Sequence, residues 1–542
     1  MEDPAGRTFD LLVIGGGING SAIARDAALR GLSTCIVEGR DWGAGTSAKS
    51  SKLAHGGLRY LEQFELGLVH EALRDRERLL RQAPHLVRPL RFAYPIYPEV
   101  AARRTVRVGL WLYDVLSWGK ALPSRKYLDR RQALALVPGL EPKGLAGAAT
   151  FFDGQIQHVE RLVVESVAQA QAHGAVALNH TRVERILVEG EGASRRAVGV
   201  VAVGEDGVRR TLRAKAVVNA TGCWVDEVLG PLAAGKPAKV RKTKGIHLVV
   251  PKFTDTAVMV RNRDGRSFFI LPWQGQCVVG TTDTDYEGDP FAASATPQDV
   301  AYLLDAASRY FPDAPLDQVR YTYAGVRALV NEAGVTESNV TRRHILYDHA
   351  AKDGVAGLWT LQGGKITTAR TLAEACVDRV ARSLGCPELA RLHPTRTALF
   401  PGGAEAWKTF REEAIYRARA MGIDDTPAAA LVDLYGVRWL EVARCDPRPE
   451  ALQRLHPDHP TIGAQVTFAV RSEQATHLAD VLLRRTLLGL APGGNQEAAP
   501  AVARWMAGLL EWDAAREREE LAAYRAECAV LAVPREPVVT VP

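Results

Sequence analysis

The sequence predicts an α/β protein, with a parallel-sheet unit interleaved with an antiparallel sheet and followed by an all-helical C-terminal domain. Three observations predict it. A strand, a glycine-rich turn, a helix and a second strand follow one another at the start; two groups of β-rich segments come later; and beyond residue 403 nearly every apolar run has helical spacing.

Residues 9–14 form a short apolar run suited to a buried parallel strand, followed at once by Gly15-Gly16-Gly17-Ile18-Asn19-Gly20. Alanine-rich text over 18–30 favours a helix, Gly31 supplies its stop, and 33–37 returns as a β-rich strand ending in Glu38. Residues 69–81 read as an exposed charged helix, and 161–173 as a helix with regularly spaced apolar positions. Segments 183–187, 197–203 and 212–218 suggest one sheet, and 246–250, 268–271 and 277–281 a second. A loop over 392–403, with Pro394 and Pro401-Gly402-Gly403, marks a boundary. The expected division is 1–397 for the interleaved unit, its antiparallel part drawn from 70–150 and 240–330, and 398–542 for the helical domain. In the latter, 466–490 is a long amphipathic helix candidate and 498–533 holds at least one more.

A chain of 542 residues exceeds what one core accommodates, and 47% apolar with 24% charged residues excludes wholesale disorder and fibrous classes. No apolar run approaches the ~20 residues of a spanning helix, and Met1-Glu2-Asp3-Pro4 lacks the features of a signal peptide, so a cytoplasmic location is expected. Seven cysteines without a CxxC pair argue against a disulfide framework or a zinc site; no metal is expected, and the thiols are read as reduced. A net charge of +6 is modest for this length; it does not point to nucleic acid and leaves anionic lipid or an anionic substrate open.

The glycine turn carries a specific chemistry. Gly15 permits the tight turn, Gly17 lets the backbone approach a pyrophosphate, and Gly20 permits close helix–strand packing, while the helix N-terminus offers unpaired N–H groups. Glu38, at the end of the next strand, is placed to accept from ribose hydroxyls. A dinucleotide is therefore expected, and this spacing serves NAD and FAD equally. Val217-Val218-Asn219-Ala220-Thr221-Gly222 resembles the second nucleotide-contacting strand of two-dinucleotide-fold flavoproteins, which favours FAD in a Rossmann-like FAD domain with Thr221 and Gly222 at the nucleotide.

The run Gly45-Thr46-Ser47-Ala48-Lys49-Ser50-Ser51-Lys52-Leu53-Ala54-His55-Gly56-Gly57-Leu58-Arg59-Tyr60-Leu61-Glu62 resembles the signature of FAD-dependent (aerobic, respiratory) glycerol-3-phosphate dehydrogenases. The likeness extends to Ala83-Pro84-His85-Leu86-Val87, Lys244-Gly245-Ile246-His247, Gly280-Thr281-Thr282-Asp283, Gly325-Val326-Arg327 and Gly363-Gly364-Lys365-Ile366-Thr367-Thr368, with Arg484-Arg485-Thr486 in the C-terminal part. Two positions depart from that pattern, Ile246 where bacterial relatives tend to have Ser and Ala328 where Pro usually follows the arginine. Both bear on substrate or acceptor preference. The resemblance implies oxidation of sn-glycerol 3-phosphate to dihydroxyacetone phosphate, with hydride passing to flavin N5. It also places Thr46, Ser47, Ser51, Leu53, Gly364, Lys365, Ile366 and Thr367 beside the flavin.

That chemistry needs a base and an anion clamp. His55 is the first candidate base and His247 the second, since imidazole titrates near working pH. Arg59, Arg327 and Lys365 form the expected phosphate clamp, with Tyr60 adding a hydroxyl and Arg342 a weaker cation. A helix beginning near Ile366 would aim its N-terminal dipole at the flavin. Over 101–126, Arg103, Arg104, Arg107, Lys120, Arg125 and Lys126 stand among Val106, Leu110, Trp111, Tyr113, Leu116 and Trp118, a makeup suited to peripheral, monotopic contact with a membrane. The resemblance then implies a quinone as electron acceptor and a homodimer as the assembly. The alternatives are an oxidase using oxygen and a flavin amine or amino-acid oxidase of the same fold. A non-catalytic flavin-binding protein would have no need of the base and phosphate cluster.

Overall fold

Strand β1 (Thr8–Ile14) is buried along nearly its whole length because it is central, hydrogen-bonded in parallel to Thr34–Val37 on one side and to Arg209–Asn219 on the other. The computed structural model describes residues 6–58, 65–97, 103–117, 121–331, 344–491 and 494–534. The parallel sheet runs Ile345–Asp348, Leu358–Gln362, Arg209–Asn219, β1, Thr34–Val37, Val176–Leu178, with its first strand antiparallel to its neighbour. Thr181–Glu189 and Arg196–Gly204 continue from Arg209–Asn219 as an antiparallel meander, so the first predicted group of β segments belongs to this sheet. Helix α1 (Ile18–Leu29) is wedged between helices Val159–Ala172 and Ala369–Ser383. Its Ala24, Ala27 and Ala28 are buried, and their small side chains let three helices approach one another.

The second sheet contains all three segments of the second predicted group. Val240–Pro251 lies between Tyr321–Val330 and Gln276–Gly280, and the sheet continues through Ser267–Trp273, Ala257–Arg261, Val87–Ile96 and Gly147–Ile156. Strand alternation sends Ile246, Leu248 and Val250 into a core shared with helix Pro297–Ser308. Val249 instead joins a core that reaches helices Leu66–Gln82 and Ala499–Leu510. Both faces of the sheet are therefore covered.

Three predicted elements differ from the structure. Helix Leu66–Gln82 is not simply exposed, because Leu68, Val69, Ala72 and Leu73 pack inward and Asp75 and Arg76 are buried in ion pairs with Arg370 and Asp153. Residues 466–490 are not one helix. Helix Gly463–Ser472 stops where Gln474 adopts a left-handed conformation (φ 59°), and Asp480 accepts from the Thr476 and His477 amides before a short Asp480–Arg485 turn begins. Gln474 is held there because its amide donates to Ala177 O (3.0 Å) and accepts from the Trp42 indole (3.2 Å) of the parallel-sheet unit. The C-terminal part is helical except for a hairpin of Arg454–His456 and His459–Ile462. Its last region holds two helices, Ala499–Leu510 and Ala514–Ala529. The seven cysteines are free thiols.

Helix Val159–Ala172 carries two buried carboxylates that join the sheets and the C-terminal part. Glu160 pairs with Lys52 (2.8 Å), and Glu165 accepts from His85 (3.1 Å) and the Gly402 amide (3.1 Å). Burial alone would raise their pKa values. For Glu160 the Lys52 ammonium and His158 together outweigh it, and for Glu165 His85, Arg161 and the Gly402 amide together do; both fall to about 2. In the unfolded chain these groups bind protons near the ordinary value of about 4.5, whereas the folded protein resists until about 2. Their stabilisation is thus complete above about pH 4.5 and is lost as pH falls towards 2. Urea midpoints should decline steadily below about pH 5, and a profile flat down to about pH 3 would contradict this account.

Candidate active site

A cavity of about 790 Å³ opens between the two sheets, within the usual range of roughly 300–1,000 Å³ for small-molecule sites. Its nucleotide end is built by the turn after β1. Gly15 has φ +104°, and a Cβ at Gly20 would stand 1.8 Å from Gly15 O, so the turn closes tightly against α1 only with glycine at both positions. Ser47 Oγ accepts from the Ile18 amide (2.9 Å) at the start of α1. Glu38 accepts from the Gly16 (2.6 Å) and Arg40 (2.8 Å) amides, and burial raises its pKa. Asn19 Oδ1 is buried with no hydrogen-bond partner among the described residues. An orphaned polar atom beside a glycine-lined helix N-terminus fits a bound dinucleotide.

Gly15, Gly17, Glu38, Thr221 and Gly222 line this end. Gly20 acts from behind, through packing on Gly15. Thr46, Ser47, Ser51 and Leu53 line the middle, and Gly364, Lys365, Ile366 and Thr367 close the opposite wall.

His55, His247, Arg327 and Lys365 all line this cavity. His247 stacks on Tyr323 (centroids 4.6 Å apart), and its Nε2 lies 2.8 Å from Ser51 Oγ. Burial, reinforced by the nearby Arg327 and Lys52 charges, holds its pKa well below the usual imidazole value, so the ring is neutral at neutral pH. Arg327 is pinned by Asp283 (3.0 Å) and Thr281 Oγ1 (3.0 Å). Gly245 makes room for it, because a Cβ there would lie 2.2 Å from the guanidinium. The His55 amide donates to Thr367 Oγ1 (3.1 Å), and the Gly56 amide donates to Tyr113 OH (2.9 Å). That tyrosine donates to Asp153 (2.8 Å), which Arg76 also binds (2.7 Å). Arg59, Tyr60 and Arg342 lie outside the described residues.

Some expectations shift. The helix after the Gly363-Gly364 turn is Ala369–Ser383, beginning three residues beyond Ile366, because residues 366–368 form a tight turn with Thr368 donating to Lys365 O (3.2 Å). Ile246 is fully buried on the opposite face from Gly245 and His247, so this departure is one of packing; Ala328 does line the cavity. Sequence reasoning missed Asn19, Lys49, Val183 and the Tyr113–Asp153–Arg76 brace. Val183 was read only as a strand residue, and nothing in the spacing joins positions 76, 113 and 153.

The basic and aromatic segment over 101–126 spans a helix and the start of a strand. Helix Arg103–Leu116 buries Leu110 and Tyr113 and exposes Val108, Trp111 and Val115 as a ridge, while Lys126 sits in a strand. Trp118 and Lys120, and the side chains of Arg103 and Arg104, lie outside the described residues. No helix among the described residues is long and apolar enough to cross a membrane.

A glycine-lined βαβ cradle in one cavity with histidines and an arginine fits a dinucleotide-dependent oxidoreductase. The family described as FAD dependent oxidoreductase matches residues 10–379, and the C-terminal domain of alpha-glycerophosphate oxidase matches 394–517. A glycerol-3-phosphate dehydrogenase of Synechocystis is 42% identical over 89% of each chain. A D-erythritol 1-phosphate dehydrogenase of Brucella abortus is 37% identical over 90% of this chain and 95% of that one. The structure of a Bacillus halodurans glycerol-3-phosphate dehydrogenase complexed with FAD superposes with TM-score 0.79 at 28% identity, covering 98% of this chain and 97% of that one. The chain belongs to the FAD-dependent oxidoreductases, in the family of the FAD-dependent glycerol-3-phosphate dehydrogenases. Its cofactor is FAD.

Proposed function

We propose that this enzyme oxidises sn-glycerol 3-phosphate to dihydroxyacetone phosphate and passes the electrons to a membrane quinone. The observation that carries this reading is that two histidines, Arg327 and Lys365 line the same cavity as the dinucleotide cradle. FAD, when bound, supplies the hydride acceptor at N5. Glu38, the Gly15–Gly20 turn and the Thr221-Gly222 turn would hold its nucleotide end, and Ser47, Ser51 and residues 364–367 would hold the remainder. Residues 1–397 carry both halves of the site, and 398–542 buttress it.

Arg327, with its fork fixed by Asp283 and Thr281, and Lys365 bind the phosphate; Arg59, Tyr60 and Arg342 are assigned to the same clamp on the sequence likeness alone. His55 takes the hydroxyl proton. His247, held neutral by its burial, accepts a hydrogen bond and positions substrate, since so depressed a pKa makes it a weak base. The Val108–Trp111–Val115 ridge faces lipid, bringing the quinone within reach.

Anaerobic stopped-flow tests the base assignment. His55→Asn should slow flavin reduction by about 10²–10⁴-fold and His247→Asn by less; the reverse order would transfer the role to His247. Reoxidation of the reduced enzyme should be faster with a ubiquinone analogue than with oxygen, and faster reaction with oxygen would make the protein an oxidase.

A further inference from the structure

Away from the active site, two histidines and a glutamate converge where the meander of the parallel sheet meets the C-terminal helices. His180 precedes strand Thr181–Glu189, Glu205 follows strand Arg196–Gly204, and His477 lies just beyond helix Gly463–Ser472. His477 Nε2 is 2.8 Å from the Glu205 carboxylate, His180 Nδ1 is 3.5 Å from it, and the rings are 4.6 Å apart. These ligand atoms all lie within 4.8 Å of one another. Donors bound at 2.0–2.1 Å to one tetrahedral ion stand ~3.4 Å apart, so small adjustments bring all three onto a common centre.

The second nitrogen of each ring faces a buried carboxylate. His180 Nε2 lies 3.0 Å from Asp480, and His477 Nδ1 lies 2.9 Å from Glu520. Arg484 and Arg516 hold those carboxylates in turn (2.9 and 2.6 Å). A carboxylate behind each imidazole, fixing its orientation and raising its basicity, is the arrangement that supports metal-ligating histidines. His180 is also strained, with φ 47°, an uncommon conformation for a non-glycine residue.

We infer that His180, Glu205 and His477 form a zinc site that clamps the flavin-binding unit to the C-terminal helices. Two imidazoles and one carboxylate favour Zn²⁺ over the oxygen-seeking divalent ions, with water completing the tetrahedron. The site abuts the cradle, because the His180 amide donates to Arg40 O and the Thr181 amide to Glu38 O (both 2.8 Å). Zinc should therefore strengthen retention of FAD.

The test uses chelator-treated holoenzyme titrated calorimetrically with zinc chloride, alongside thermal release of FAD followed by its fluorescence. The expected result is one Zn²⁺ per chain, a higher FAD-release temperature with zinc, and binding about 100-fold weaker in His477→Gln and Glu205→Gln. Glu205 is half-exposed on a turn, so its replacement leaves the fold intact. No saturable binding, or equal binding by both variants, would overturn the site and leave an ion-pair junction.

Discussion

Asp41→Ala is expected to destabilise the protein by about 3–5 kcal/mol, the usual effect of removing one partner from a buried ion pair. Asp41 follows the second strand of the nucleotide unit and is fully buried. Both of its oxygens receive Arg485 (2.7 and 2.8 Å), and Arg484 adds a third bond (2.9 Å). Alanine would strand two buried guanidiniums whose other partners, Asp480, Glu527 and Glu473, cannot replace it. The neighbouring Trp42 covers Gly16, so loosening this junction also loosens the cradle. Chemical denaturation followed by flavin fluorescence should show a lower midpoint together with earlier loss of FAD; a variant as stable as the parent would contradict this role.

Arg327→Ala should raise KM for sn-glycerol 3-phosphate by about 30-fold or more, the equivalent of a lost charge-assisted contact worth 2 kcal/mol or above. The phosphate stays bound throughout the reaction, so kcat at saturation should change little. Arg327→Lys should recover part of the loss, since it restores charge without the planar fork. Steady-state kinetics across the three enzymes gives the result, and an unchanged KM in the alanine variant would remove Arg327 from the clamp.

The first βαβ unit was legible because local rules act there in agreement: an apolar strand, a turn needing glycine, and an alanine-rich helix. His55, His247, Arg327 and Lys365 lie far apart in the chain and meet in one cavity; the sequence pointed to them through motif likeness, since spacing alone does not join positions 55, 247, 327 and 365. The break at Gln474 was hidden for the opposite reason. Residues 466–490 have helical propensity throughout, and only tertiary partners, Trp42 and the Ala177 carbonyl, make a left-handed residue favourable there. Helix Leu66–Gln82 looked exposed because its charges are dense, yet Asp75 and Arg76 are buried against Arg370 and Asp153, residues that the sequence sets far away. Arg484-Arg485-Thr486 was recognisable as a motif, but its partner Asp41 was not, being more than four hundred positions earlier.

Anaerobic titration of the FAD-loaded enzyme, followed by flavin absorbance, is the most direct test of the proposed activity. Sn-glycerol 3-phosphate should bleach the flavin with formation of one dihydroxyacetone phosphate per flavin reduced, while glycine and sarcosine leave it oxidised. Bleaching by an amino acid, preferential bleaching by D-erythritol 1-phosphate, or a flavin that none of these reduces would contradict it.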